Sequence, residues 1–108
     1  MIRDKNLPLT ETVYYILLAL TEASHGYVLM QKVEELSKGQ VRLAAGTLYG
    51  AIENLLTKGF ITAAPSDDPR RKVYAISQDG VKILRADYER MTHMLDVTKQ
   101  VLEGGNIK

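Results

Sequence analysis

The stretch from Gly46 to Tyr74 most limits what this chain can fold into. Gly46-Thr47-Leu48-Tyr49 begins a segment in which Leu48, Ile52 and Leu55 recur at helical spacing, with Leu56 flanking. Gly59 stops that segment and Phe60-Ile61 begins an extended one. Pro65-Ser66-Asp67-Asp68-Pro69-Arg70-Arg71 is dense in turn formers, and Lys72-Val73-Tyr74 resumes an extended pattern. A helix with a polar leading edge therefore runs into a β-hairpin tipped with positive charge. Such a helix fits the major groove of duplex DNA, and such a tip fits the flanking phosphates.

The bulk numbers exclude other classes. A chain of 108 residues forms one domain with room for an appended helix. The net charge of +1 is far from that of a polycation, so affinity for DNA must come from local clustering of charge. Without cysteine there is no disulfide framework, thiolate metal site or redox centre. His25 and His93 lie on different elements, which leaves a metal site little basis. Asp67-Asp68 reads as solvated loop carboxylates. The longest wholly apolar run, Val13 to Leu20, is far shorter than a membrane span. Met1-Ile2-Arg3-Asp4-Lys5 lacks the apolar core of a signal peptide, so the expectation is a soluble cytoplasmic protein with no membrane partner and no cofactor. No nucleophile–base pair, carboxylate dyad or Gly-rich phosphate loop points to an enzyme.

Periodicity orders the remaining elements. Val13, Ile16, Leu17 and Leu20, with Thr10 as cap, predict a first helix over about residues 10–23. Ser24-His25-Gly26 reads as a breaker. Val28, Leu29, Val33 and Leu36 predict a second helix that ends near Gly39. Val41-Arg42-Leu43 suffices only for a small edge strand. Helix three is expected over Ala45–Lys58, and Ala44-Ala45 offer it no side-chain cap. Short strands are expected at 60–64 and 72–77. Ser77 caps a last helix that continues to about Glu103, before Gly104-Gly105. The fold class is therefore mainly α. A winged helix-turn-helix with a two-stranded β-wing occupies 8–77, a long C-terminal dimerisation helix 78–103, and a disordered tail 104–108.

Three motifs in this order are specific together: His25-Gly26-Tyr27 opening helix two, Gly46-Thr47-Leu48-Tyr49 opening helix three, and Arg70-Arg71-Lys72-Val73-Tyr74 ending the wing. Over about residues 8–103 the chain resembles the PadR family of bacterial transcriptional regulators, in its small subfamily with a single C-terminal helix. The resemblance implies a dimeric repressor of promoter DNA, and some members respond to phenolic acids or planar hydrophobic drugs.

The expected DNA-facing residues are Tyr27, Thr47, Tyr49, Gly50, Arg70, Arg71 and Lys72. Thr47 either bonds a phosphate or caps local backbone. Tyr49 follows Leu48 and so leaves the buried stripe; it either meets DNA or packs on Tyr27 or the wing. Gly50 and Ala51 let the helix lie close in the groove. Glu53 faces phosphate unfavourably if it points outward. The two-fold partner is a pseudo-palindromic operator. Because helix three is weakly basic, a winged-helix protein-interaction module without DNA binding is the alternative.

The last helix carries the second signal. Val81, Leu84, Tyr88, Met91, Leu95, Thr98 and Leu102 alternate spacings of three and four, a heptad-like seam widened by Ile83, Met94, Val97 and Val101. Leu84, Tyr88, Met91, Leu95 and Leu102 are the expected homodimer interface. The competing reading packs this face wholly against helix one of the same subunit. In drug-binding relatives a cavity forms at the dimer interface. The resemblance puts Tyr15, Ala19, Tyr88 and Met91 around it as a candidate pocket for a small hydrophobic effector; a plain core at helical spacing is the other reading.

Overall fold

The computed structural model describes residues 4–104; the segment 105–108, most of the expected tail, lies outside the described residues. Helix α1 spans Glu11–Ala19, and Thr10 Oγ1 accepts from the Val13 amide at 3.1 Å. It ends earlier than its periodicity predicts. The Thr21 hydroxyl donates to the Leu18 carbonyl at 2.8 Å, and the Leu20 carbonyl accepts from Ile76 N–H at 2.8 Å. The chain beyond Leu20 is thereby taken up by the wing instead of continuing the helix. Ser24–His25 is no mere breaker: it forms strand β1.

Helix α2, Gly26–Leu36, buries Leu29 and Val33 while Leu36 is exposed. Val41-Arg42-Leu43 does not form the expected edge strand. Its first amide is bound to Ser37 Oγ at 2.9 Å, which closes the turn after α2 and leaves no ladder to join. Helix α3, Ala45–Lys58, starts at Ala44 with no side-chain cap. It stops at Gly59, whose φ of 76° is left-handed. There the Gly59 and Phe60 amides reach the Leu56 and Leu55 carbonyls, both at 3.0 Å.

Strands β2 (Ile61–Ala64) and β3 (Val73–Ile76) pair antiparallel with Ile61 opposite Ile76 and Ala64 opposite Val73. The hairpin pattern predicts a wing of two strands. It has a third, because β1 pairs with the other edge of β3, Ser24 opposite Tyr74 and His25 opposite Val73.

Helix α4, Gln78–Glu103, is joined tightly to this sheet. Ser77 Oγ accepts from Gly80 N–H at 3.0 Å and donates to the Gly59 carbonyl at 2.6 Å. A Cβ on Gly80 would meet the Phe60 carbonyl oxygen at 2.0 Å, so only glycine allows this approach. Ile16, Leu17, Leu20, Leu29, Leu48, Ile52 and Ile61 form the centre of the core, closed on one side by Tyr74, Ile83 and Leu84. From Thr92 onward α4 leaves the body, and only Val101 is less than exposed. The molecule accordingly extends 58 Å along its longest axis against 31 and 20 Å. Among the described residues no helix is long and apolar enough to cross a membrane.

Candidate nucleic-acid interface

The outward face of α3 follows from its inward one. Leu48, Ile52 and Leu55 are buried, which turns Thr47, Tyr49, Gly50 and Glu53 to solvent. The Thr47 hydroxyl has no hydrogen bond among the described residues, so it caps none of their backbone. Tyr49 is 51% exposed, and its phenol oxygen lies 2.7 Å from where a Cβ on Gly26 would sit. The ring therefore lies across the start of α2, and only a glycine there leaves it room.

His25, Gly26, Tyr27, Tyr49, Arg70, Arg71 and Lys72 line one open cleft of about 440 Å³. Five of the seven residues expected from sequence to face DNA meet in it. Thr47 stands outside it on the exposed leading edge of α3. Gly50 lies elsewhere, in a second cleft of about 440 Å³ against Pro8, Leu9 and Phe60. A residue adjacent in sequence projects about 100° away around a helix, so Gly50 cannot share the cleft that Tyr49 faces.

The three wing cations are not equivalent. Arg70 donates from Nε to Asp68 Oδ1 at 3.1 Å and from Nη2 to Asp68 Oδ2 at 3.2 Å, and its amide also binds Oδ1. Hydrogen bonds from the Arg70 side chain and then its amide, aided by the Arg71 charge, hold the Asp68 carboxyl below the usual carboxylate range. The pair therefore persists as pH falls through that range and is lost only below the lowered value. Arg71 and Lys72 have no carboxylate partner among the described residues and carry the cleft's available positive charge.

Two cleft residues, His25 and Gly26, belong to the motif that opens helix two but are absent from the residues expected from sequence to face DNA. What brings them in is the β1–β3 pairing, which sets the start of α2 beside the wing root. A two-residue strand has no periodicity to reveal it.

The C-terminal seam divides in two. Leu84 is buried in the subunit's own core, which withdraws it from the set expected between subunits. Met91 is half-buried, while Tyr88, Leu95 and Leu102 are 56%, 64% and 58% exposed. Ala19 is buried and Tyr15 half-buried. The cleft that includes Ala19 is walled by Leu18, Thr21, Glu22, Lys32, Glu35 and Leu36, without Tyr15, Tyr88 or Met91. The four candidate pocket residues therefore do not share that cleft. Between α1 and the seam, Asp87 is buried and paired with Arg90. Burial first, then the charges of Asp87 and Tyr88, raises the Tyr14 phenol above its ordinary value.

The model of the transcriptional regulator PadR-like family matches residues 16–86 of this chain. No curated protein matches it. Solved structures do. A transcriptional regulator from Clostridium thermocellum is 20% identical, with a TM-score of 0.69 over 94% of this chain and 99% of that one. RosR of H. salinarum is 25% identical, with a TM-score of 0.70 over 83% of this chain and 80% of that one. A PadR family transcriptional regulator from Eggerthella lenta is 25% identical, with a TM-score of 0.67 over 84% of this chain and 80% of that one.

Proposed function

Because this chain belongs to the PadR-like family of transcriptional regulators, we propose that it acts as a homodimeric repressor that occupies promoter DNA and is released by a hydrophobic effector. One observation carries the DNA part. Two phenols, Tyr27 and Tyr49, and two cations without carboxylate partners among the described residues, Arg71 and Lys72, line one open cleft beside the exposed Thr47. Phenols and hydroxyls donate to phosphate oxygens, and Arg and Lys neutralise them. In this reading α3 enters the major groove, led by Thr47 and Tyr49, and the wing spans the adjacent backbone. Gly50, on the neighbouring face, allows close approach without reading a base.

The dimer part rests on the distal half of α4. Tyr88, Leu95 and Leu102 repeat every seven residues and are uncovered, with Met94 and Val97 beside them. A second copy covers such a stripe most simply. Two-fold symmetry then requires a pseudo-palindromic operator with half-site centres about 34–36 Å apart, or a multiple of that. The space between two such copies is where an aromatic effector would bind, and the family resemblance is what assigns Tyr15, Ala19, Tyr88 and Met91 to its walls. An effector loosens DNA only through its preference for the non-operator geometry, about 1.4 kcal/mol for a tenfold effect.

Gel-shift and footprinting on the promoter of its own gene test the reading, with a footprint bearing a dyad as the expected result. Glu53 is exposed, and the only basic residue of α3 is Lys58 in its last turn. If no DNA is bound at low salt, these features favour a protein-interaction module instead. The effector is tested with Met91→Trp, which places the only tryptophan of the chain in the seam. Quenching by planar dyes or phenolic acids, together with weaker operator binding by the wild type, is expected. No response in either assay points to an effector-independent repressor.

A further inference from the structure

His25 begins the His25-Gly26-Tyr27 motif but is not among the residues expected from sequence to face DNA, yet it lines the cleft. Its backbone is set by pairing with Val73, and as the residue before α2 it makes no side-chain bond to that helix's amides. The imidazole instead meets the wing, with Nε2 3.4 Å from Arg71 Nη1. It lines both the cleft with Tyr27 and Tyr49 and the neighbouring one with Asp67 and Asp68. Building on the DNA-binding reading, we propose that His25 and Arg71 together hold one DNA phosphate, and that DNA binding takes up a proton at His25.

Donors and acceptors decide the matter. A guanidinium only donates, so a hydrogen bond from Arg71 to Nε2 requires that nitrogen to offer a lone pair. A protonated imidazole has no acceptor, and beside Arg71 it would set two like charges together. A phosphate reverses both conditions. It only accepts, and its negative charge favours a second cation beside the first. The partner that Arg71 finds in the free protein thus becomes a second donor when phosphate enters.

The surrounding groups leave this exchange to His25. Facing it from the wing loop are Asp67, Asp68, Arg70, Arg71 and Lys72, from α2 Tyr27, and from α3 Tyr49. Asp68 is committed to Arg70 and held below the usual carboxylate range. Lys32, further along α2, is held by Ser24 Oγ at 2.8 Å and by Glu22. Lys, Arg and Tyr ordinarily titrate well above neutral pH, and imidazole alone does so between about pH 5 and 8.

The test is anisotropy of a fluorescein-labelled duplex of mixed sequence at constant ionic strength across that window. A phosphate contact needs no particular operator. Wild-type affinity should rise several-fold as pH falls, bounded at about tenfold per pH unit for each proton taken up. His25→Gln should bind more weakly than wild type at the acid end and lose the pH dependence. His25→Arg should bind tightly at every pH. His93→Gln, on the exposed part of α4, should keep the wild-type slope. In proton NMR the His25 ring should titrate at higher pH with DNA than without it. A wild-type slope retained by His25→Gln, or a flat wild-type profile, overturns the inference while the DNA reading stands. No binding at any pH overturns both.

Discussion

The cleft between α2, α3 and the wing and the distal half of α4 are both open to solvent, but they differ in how they are held. The cleft is anchored on three sides. Strand β1 pairs into the wing, Tyr49 lies over Gly26, and Arg70 is clamped to Asp68, so its polar groups are pre-placed. The distal helix is anchored at one end only, through Ser77 and Gly80, and past Thr92 it touches little of its own subunit. A polyanion needs fixed donors, and a second helix needs only a continuous apolar stripe. In the proposed reading the two surfaces are held by different means, with the junction at Gly80 to Leu84 separating them.

The largest expected effect tests whether that junction is real. Leu84→Asp puts a charge in the subunit core and should unfold the winged domain, because an unpaired buried charge costs several kcal/mol. Leu95→Asp changes a residue that is 64% exposed in the single chain. It should preserve the circular dichroism spectrum while sedimentation shows monomer in place of dimer. If wild type already runs as a monomer at micromolar concentration, the stripe has another role and the contrast between the two leucines disappears.

Next in size is the wing. Arg71→Ala should weaken binding to all sequences alike. It should also flatten the salt dependence by about 0.9 log units for each phosphate that the protein no longer neutralises, counted over both subunits. A slope unchanged by this substitution would break the comparison, since the cleft would then owe nothing to its available cations.

Gly26→Ala sharpens it further. The added Cβ meets the far end of the Tyr49 side chain, which can swing away, and not backbone. Thermal stability should change by less than about 1 kcal/mol, within the range of compatible Gly→Ala changes. Operator affinity should fall several-fold if Tyr49 touches DNA. Equal operator affinity in the two proteins would make Tyr49 a packing residue.

The smallest effect is of opposite sign. Asp68→Asn releases Arg70 and removes a negative charge from the wing, so affinity should rise modestly and its salt dependence steepen. Unchanged binding would place Arg70 and Asp68 outside the surface that meets DNA.

What sequence alone determined here is local. The faces of α1, α3 and α4 follow from helical spacing, and their ends follow from Thr10, Gly59 and Ser77, whose side chains or left-handed backbone act within a turn. The positive loop was legible because charge composition needs no partner. Tertiary structure decided whatever depends on a residue far along the chain. Ser24–His25 became a strand because Val73-Tyr74 supply its partners, which placed His25 against Arg71. Arg70 was separated in role from Arg71 because the turn brings Asp68 into bidentate reach. Leu84 and Leu95 share one heptad-like pattern, yet only the first belongs to the buried core. Periodicity records which face is apolar, whereas burial depends on what lies opposite that face, and that is set by the packing of the whole chain.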